Sequence, residues 1–143
     1  TKGNLLVSVG GIELKKRTLN SVRKMSEMGY NILATEHTAE FLLKHGLNEV
    51  TVLYKIGERE RKPNVSDYLG ERKIDLIINI PSSIALEKFV DMQEDDYKIR
   101  RKAVELGIPV LTNVENIDMF VKGLSWLQTR EITISPLTSA SRA

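Results

Sequence analysis

Thr35 and Thr38 stand three residues apart, where the short apolar run Ile32-Leu33-Ala34 gives way to polar residues. Hydroxyls at the start of a helix suit phosphate or carboxylate oxygens, because the first N–H groups of a helix have no intrahelical partner. Taken singly, each threonine is equally well a helix cap or turn residue. The pattern gains weight because other apolar runs end the same way. Leu5–Val9 exits through Ser8 toward Lys15, and Val50–Leu53 exits toward Lys55. Asp75–Asn79 exits through Asn79, with Ser82 and Ser83 behind it, and Pro109–Leu111 exits through Thr112 and Asn113. Hydroxyls, amides and ammonium groups with few carboxylates form an anion-binding set, the lysines supplying charge. The expected effector-binding residues are Ser8, Lys15, Thr35, Thr38, Lys55, Asn79, Ser82 and Ser83.

No catalytic constellation competes with that set. The two histidines are His37 and His45, and one imidazole in a loop makes neither a metal site nor a triad. His45 is expected at a helix end, bonding terminal carbonyls. Asp91, Glu94, Asp95 and Asp96 are expected to cover a helix N-terminus, where negative charge is favourable. Gly10-Gly11 lacks the dinucleotide fingerprint, and no Walker pattern occurs. The basic residues of 15–24 and 55–62 have no interleaved aromatics, so a solvated face is preferred to an RNA surface. No metal and no cofactor is expected in the domain.

Bulk properties fit this reading. A chain of 143 residues, 41% hydrophobic and 28% charged, suits one soluble domain. A net charge of +2 is too small to imply nucleic acid or membrane as partner. With no cysteine, disulfides, thiolate metal sites and a cysteine nucleophile are excluded, and a cytoplasmic location is expected. No apolar run approaches the roughly 18 residues of a membrane span. The start at Thr1-Lys2-Gly3, without methionine, suggests a domain cut from a longer chain.

The elements that would position these residues follow a rhythm of helix, glycine and short strand. It occurs at Gly29, Gly46 and Gly107, as in a layer where each helix returns to launch a parallel strand. Helices are expected over about 13–28, 38–44, 65–72, 95–106 and 115–127, with 54–66 a surface loop. The fold class is therefore α/β, a three-layer α/β/α domain with five parallel strands. Ligands in such sheets sit beyond the carboxyl ends of the strands. Residues 3–127 form the domain, and 128–143 is expected to fray or to pack elsewhere in a larger protein.

The order of segments also resembles a family. Leu5-Leu6-Val7-Ser8-Val9, Gly29-Tyr30-Asn31-Ile32-Leu33-Ala34-Thr35-Glu36-His37-Thr38, Ile74-Asp75-Leu76-Ile77-Ile78-Asn79, Asp96-Tyr97-Lys98-Ile99-Arg100-Arg101-Lys102-Ala103 and Gly107-Ile108-Pro109-Val110-Leu111-Thr112-Asn113 carry it. Together they resemble the methylglyoxal synthase-like (Rossmann-like) fold, and more closely the C-terminal regulatory domain of the carbamoyl phosphate synthase large chain. The resemblance implies an allosteric module, itself not an enzyme, in an ATP-dependent ligase of pyrimidine and arginine biosynthesis. It implies a UMP- or IMP-type nucleotide effector, or N-acetylglutamate in the urea-cycle type. It also implies the parent's synthetase domains, its glutaminase small subunit, and ATP with Mg or Mn in the parent enzyme. Carried over by position, Thr35 and Thr38 fall on the effector-phosphate threonines, Lys55 on the phosphate lysine and Asn79 on the asparagine after the fourth strand. Lys15 matches the first-loop lysine if one residue is inserted. Ile80-Pro81 stands where nucleotide-binding members place threonine, as in the acetylglutamate type, yet Lys55 replaces that type's tryptophan. His37 replaces a glycine of the turn in several relatives. A free-standing methylglyoxal synthase remains the enzyme alternative, although Glu13 is the only carboxylate in the first loop and Glu36-His37 replaces the phosphate-turn glycines.

Overall fold

The structure, a computed structural model, describes residues 2–55, 62–81 and 91–141, without the side chains of 91–96 and 130–141. Ser82 and Ser83, both expected in the site, lie outside the described residues, as does the run 56–61.

Five strands form one parallel sheet: β1 (Gly3–Val9), β2 (Tyr30–Ala34), β3 (Thr51–Val52), β4 (Leu76–Ile80) and β5 (Val110–Leu111). Their spatial order is β3-β2-β1-β4-β5. The chain winds outward from β1 to β3, then returns to place β4 on the other side of β1. The direction reverses between β1 and β4, and the expected α/β architecture is borne out. The helices are α1 (Ile12–Glu27), α2 (Glu36–Lys44), α3 (Val65–Gly70), α4 (Asp91–Leu106) and α5 (Val114–Ser141).

Side chains alternate between the two faces of a strand. On one face Leu5, Val7, Val9, Ile32, Ala34, Leu76, Ile78 and Ile80 pack with Val22 and Met25 of α1, Phe41 and Leu42 of α2, and Ile117 and Val121 of α5. On the other, Leu6, Leu33 and Ile77 pack with Val65 and Leu69 of α3 and Ile99 and Ala103 of α4. Both faces of the three central strands are thus covered, which is why β1 and β4 read as continuous apolar runs.

The three glycines of the recurring unit hold the left-handed backbone that ends each preceding helix: Gly29 at φ 107°, Gly46 at 102° and Gly107 at 72°. Gly3 has a different task. Its φ is 124°, and an added Cβ would lie 2.6 Å from Asp75 Oδ2. That carboxylate accepts the Asn4 N–H at 2.7 Å, tying the start of β1 to the segment that opens β4.

Several boundaries differ from the sequence reading. The third strand shrinks to Thr51–Val52, because it is an edge strand paired only with β2. α2 begins at Glu36 rather than Thr38, since Thr35 is its N-cap. α3 stops at Gly70, two residues early, and Arg72 at φ 57° turns the chain. α4 begins at Asp91, a turn before the expected Asp95. α5 keeps helical backbone past Leu127 to Ser141, running through Pro136.

Candidate functional site

The second face of the sheet changes character at its carboxyl end. Leu33, Leu6 and Ile77 form an apolar row, and two residues later the same positions become Thr35, Ser8 and Asn79. Ser8 and Asn79 are direct partners across β1 and β4. The Thr35 N–H continues the β1–β2 ladder onto the Val7 carbonyl at 3.3 Å, bringing Thr35 beside Ser8. Thr35 Oγ1 donates to Ser8 Oγ at 3.3 Å. All three side chains are buried, Asn79 completely. Polar groups are expensive to bury, and here they gather at the point where the winding of the sheet reverses.

Thr35 is the N-cap of α2, yet its side chain makes no capping bond. Its hydroxyl turns to Ser8 and to Thr38 Oγ1, 3.4 Å away. Helix capping therefore does not account for this threonine. Thr38 is 3% exposed and binds the end of β1, its Oγ1 accepting the Val9 N–H at 3.2 Å. The same oxygen lies 3.4 Å from the Val9 carbonyl. Thr38 thus joins the first turn of α2 to the exit of β1.

Gly10 and Gly11 carry the chain from β1 into α1. The Gly10 N–H donates to the Ile80 carbonyl at 2.8 Å, and Gly11 at φ 77° is the N-cap of α1. Sequence reasoning said of this pair that it lacks the dinucleotide fingerprint, and did not place it in the site. The signal available was its position, directly after the strand beside the reversal point.

Lys15 lies in the first turn of α1 and is half-buried. Its pKa is lowered from the ordinary lysine value, first by burial and then by the positive charge of Lys55. Lys55 leaves the sheet at the far edge, three residues beyond β3. Two ammonium groups from separate exits therefore act on one another. Among the described residues no carboxylate forms an ion pair with either. Glu13 is engaged with Lys16 at 3.9 Å on the exposed side of α1.

The structure places the remaining candidates elsewhere. The Asn113 side chain accepts the Asn116 N–H at 2.8 Å and so caps α5. Exposed His37 lines a surface hollow of about 450 Å³ with Glu40, Leu43, Val52 and Tyr54, on the outer side of α2. His45 bonds the Phe41 carbonyl at 2.8 Å and stacks on the Phe41 ring, as expected of a residue at a helix end. Among the described residues there is no cluster of three or more His, Cys, Asp or Glu that could hold a metal ion. No helix among them is long and apolar enough to cross a membrane.

These features define a class, an α/β domain with buried polar side chains gathered at the carboxyl edge of its parallel sheet. The family model for the MGS-like domain matches residues 17–112, and the chain belongs to that family. The curated relatives it matches are much longer chains, of which it spans only a small part. It is 35% identical over 92% of its length to the multifunctional protein pyr-3 of Neurospora crassa, of which it spans 7%. It is 34% identical over 96% of its length to the carbamoyl phosphate synthase large chain of Methanoculleus marisnigri, spanning 12% of that chain. Among solved structures it resembles methylglyoxal synthase from Elizabethkingia anophelis, with TM-score 0.61, 16% identity, and coverage of 83% of this chain and 77% of the other. That likeness concerns the fold.

Proposed function

We propose that this chain is the effector-binding domain of a carbamoyl phosphate synthase, taking a phosphate-bearing nucleotide of the UMP or IMP type. The observation that carries the reading is the buried Thr35–Ser8–Asn79 row at the reversal point, with Lys15, at the exit of β1, under the positive charge of Lys55. Two cations that raise each other's energy when empty are relieved by a dianion between them. The Thr35 hydroxyl and the first N–H groups of α2 then complete the phosphate shell. Asn79, at the reversal point, is set to hydrogen-bond the remainder of the ligand. Ser82 and Ser83 follow it in sequence and belong to the same proposed set.

On this reading the domain performs no chemistry of its own. It biases the parent ligase, whose synthetase domains use ATP with Mg or Mn and whose glutaminase subunit supplies ammonia. Effector binding would shift the parent between two arrangements with a coupling of about 1–3 kcal/mol. The parent belongs in pyrimidine and arginine biosynthesis, in the cytoplasm.

Calorimetric titration with UMP, IMP and N-acetylglutamate tests the proposal. Heat with either nucleotide, abolished by Lys55→Ala, is the expected result. Heat with N-acetylglutamate alone would move the domain to the acetylglutamate type. No heat with any of the three at low salt would overturn the proposal. The engagement of Glu13 with Lys16 disfavours a methylglyoxal-forming enzyme, which needs a carboxylate base in the first loop. Incubation with dihydroxyacetone phosphate and a colorimetric assay for methylglyoxal should give a blank.

A further inference from the structure

The apolar row Leu6–Leu33–Ile77 is bounded by polar residues at its amino end as well. Two residues earlier on β1 and β2 stand Asn4 and Asn31, which are cross-strand partners. α3 is only six residues long and packs over the apolar row through Val65 and Leu69. β3 begins at Thr51, opposite Leu33, so the first residues of β2 have no strand on that side. A hollow of about 480 Å³ opens there, at the other end of the sheet from Ser8, Thr35 and Asn79. The register carried back two residues sets Asn31 and Glu49 on its two banks, and both line it, with Thr51, Tyr30 and Tyr68.

The walls of this hollow accept hydrogen bonds. A carbonyl can only accept, so Asn4 turns its Nδ2 to the Lys73 carbonyl, at 2.6 Å. Asn4 Oδ1 is thereby aimed at Asn31, whose Nδ2 donates to it at 3.0 Å. That chain fixes the Asn31 amide and leaves Asn31 Oδ1 to accept at the hollow. Glu49 is the one charged residue lining it, and among the described residues no cation pairs with that carboxylate. Tyr68 already draws a cation on its ring, Lys73 Nζ lying 5.2 Å from the centroid. The charge of Lys73 is matched by Glu71, at 2.7 Å, and leaves Glu49 uncompensated.

We infer that this hollow binds a small organic cation with a planar fork of N–H donors, an alkylguanidinium compound. The Glu49 carboxylate takes the charge and two parallel N–H bonds, and Asn31 Oδ1 takes a third. The tyrosine rings suit the flat, weakly hydrated cation better than a compact ammonium. Glu49 repels an anion, and among the described residues no cluster of acidic or imidazole ligands would hold a metal ion instead. The volume is that of a small-molecule site. The inference is independent of the effector reading, because the two sets of residues share no member.

The test is titration of the isotope-labelled chain with n-butylguanidinium and with n-butylurea, its neutral isostere, followed by amide chemical shifts. The expected result is saturable binding of the guanidinium with a Kd of ~1 mM, as a ligand of that size allows. Shifts should centre on Asn31, Ile32 and Thr51 and leave Ser8 and Thr35 unmoved. n-Butylurea should bind at least tenfold more weakly. Glu49→Gln, at an exposed position, should weaken guanidinium binding at least tenfold with unchanged circular dichroism. Tyr68→Leu should weaken it severalfold. Equal affinity for the two probes would overturn the inference, as would binding that Glu49→Gln leaves intact. Shifts centred on other residues, or no saturation below ~20 mM, would overturn it too.

Discussion

The Lys15 ammonium, in the first turn of α1, is held below the ordinary lysine pKa by its own burial and by the Lys55 ammonium beyond β3. The strand between those exits, β2, delivers Thr35 beside Ser8. An empty site of this kind carries an electrostatic cost that ligand binding removes. Lys15→Met should therefore make the free domain slightly more stable, by ~0.5 kcal/mol or less because Lys15 remains partly solvated. It should at the same time weaken phosphate-ligand affinity by about tenfold or more. Urea denaturation read beside calorimetry checks both signs, and a variant that loses stability and keeps affinity would remove Lys15 from the site.

The pH dependence follows from the direction of that shift. The folded-state pKa of Lys15 lies below the unfolded value near 10.5. Its destabilising contribution is complete below the folded pKa and disappears as pH rises toward the unfolded one. The stability difference between Lys15→Met and wild type should shrink accordingly as pH approaches 10.5. Ligand affinity should fall across the same window as the charge is lost, and binding there should take up protons. Calorimetry at one pH in buffers of different ionisation enthalpy measures that uptake directly. A zero proton count in this window would contradict the assignment.

The two threonines should separate by the quantity they affect. Thr38→Val leaves the buried Val9 N–H without its 3.2 Å acceptor, at a cost of about 1–3 kcal/mol. Thr38→Ser should restore most of it. Among the described residues Thr35 Oγ1 meets only other hydroxyls, so Thr35→Val should cost less stability while lowering affinity for a phosphate ligand. Denaturation midpoints and titrations on the three variants decide the matter. Equal stability losses at positions 35 and 38 would contradict the hydrogen-bond assignment.

Gly3→Ala should destabilise the domain by about 2 kcal/mol, since alanine would hold φ at 124° and drive a methyl group into the Asp75 carboxylate. Asp75→Ala in the same chain relieves the steric part and leaves the backbone strain. The double variant should therefore lie between Gly3→Ala and the sum of the single effects. Additive losses in equilibrium unfolding would show that the two residues do not touch.

Much of the scaffold was legible because its signals are local. Leu5–Val9 and Leu76–Ile80 read as buried strands, and the glycines at 29, 46 and 107 marked the helix ends. Edge strands were less legible, since β3 and β5 owe their two-residue length to a single neighbour each. Within the candidate site, residue types at the strand exits could be read, but not where their atoms point. Asn113 and Thr35 looked alike as polar exits, yet one caps a helix and the other does not. His37 stood in the same turn as the threonines and lines the outer hollow instead.

The sequence by itself determined the alternation of helix and strand and the polar character of each strand's end. Hydrophobic period and glycine conformation are properties of neighbouring residues, readable without knowing the fold. Only the tertiary structure decided which ends meet. The order β3-β2-β1-β4-β5 sets Ser8 against Asn79, 71 residues away, and lets Lys55 act on Lys15. Strand order is settled by which apolar faces the helices can cover together, a condition on the whole chain that no single stretch of it encodes.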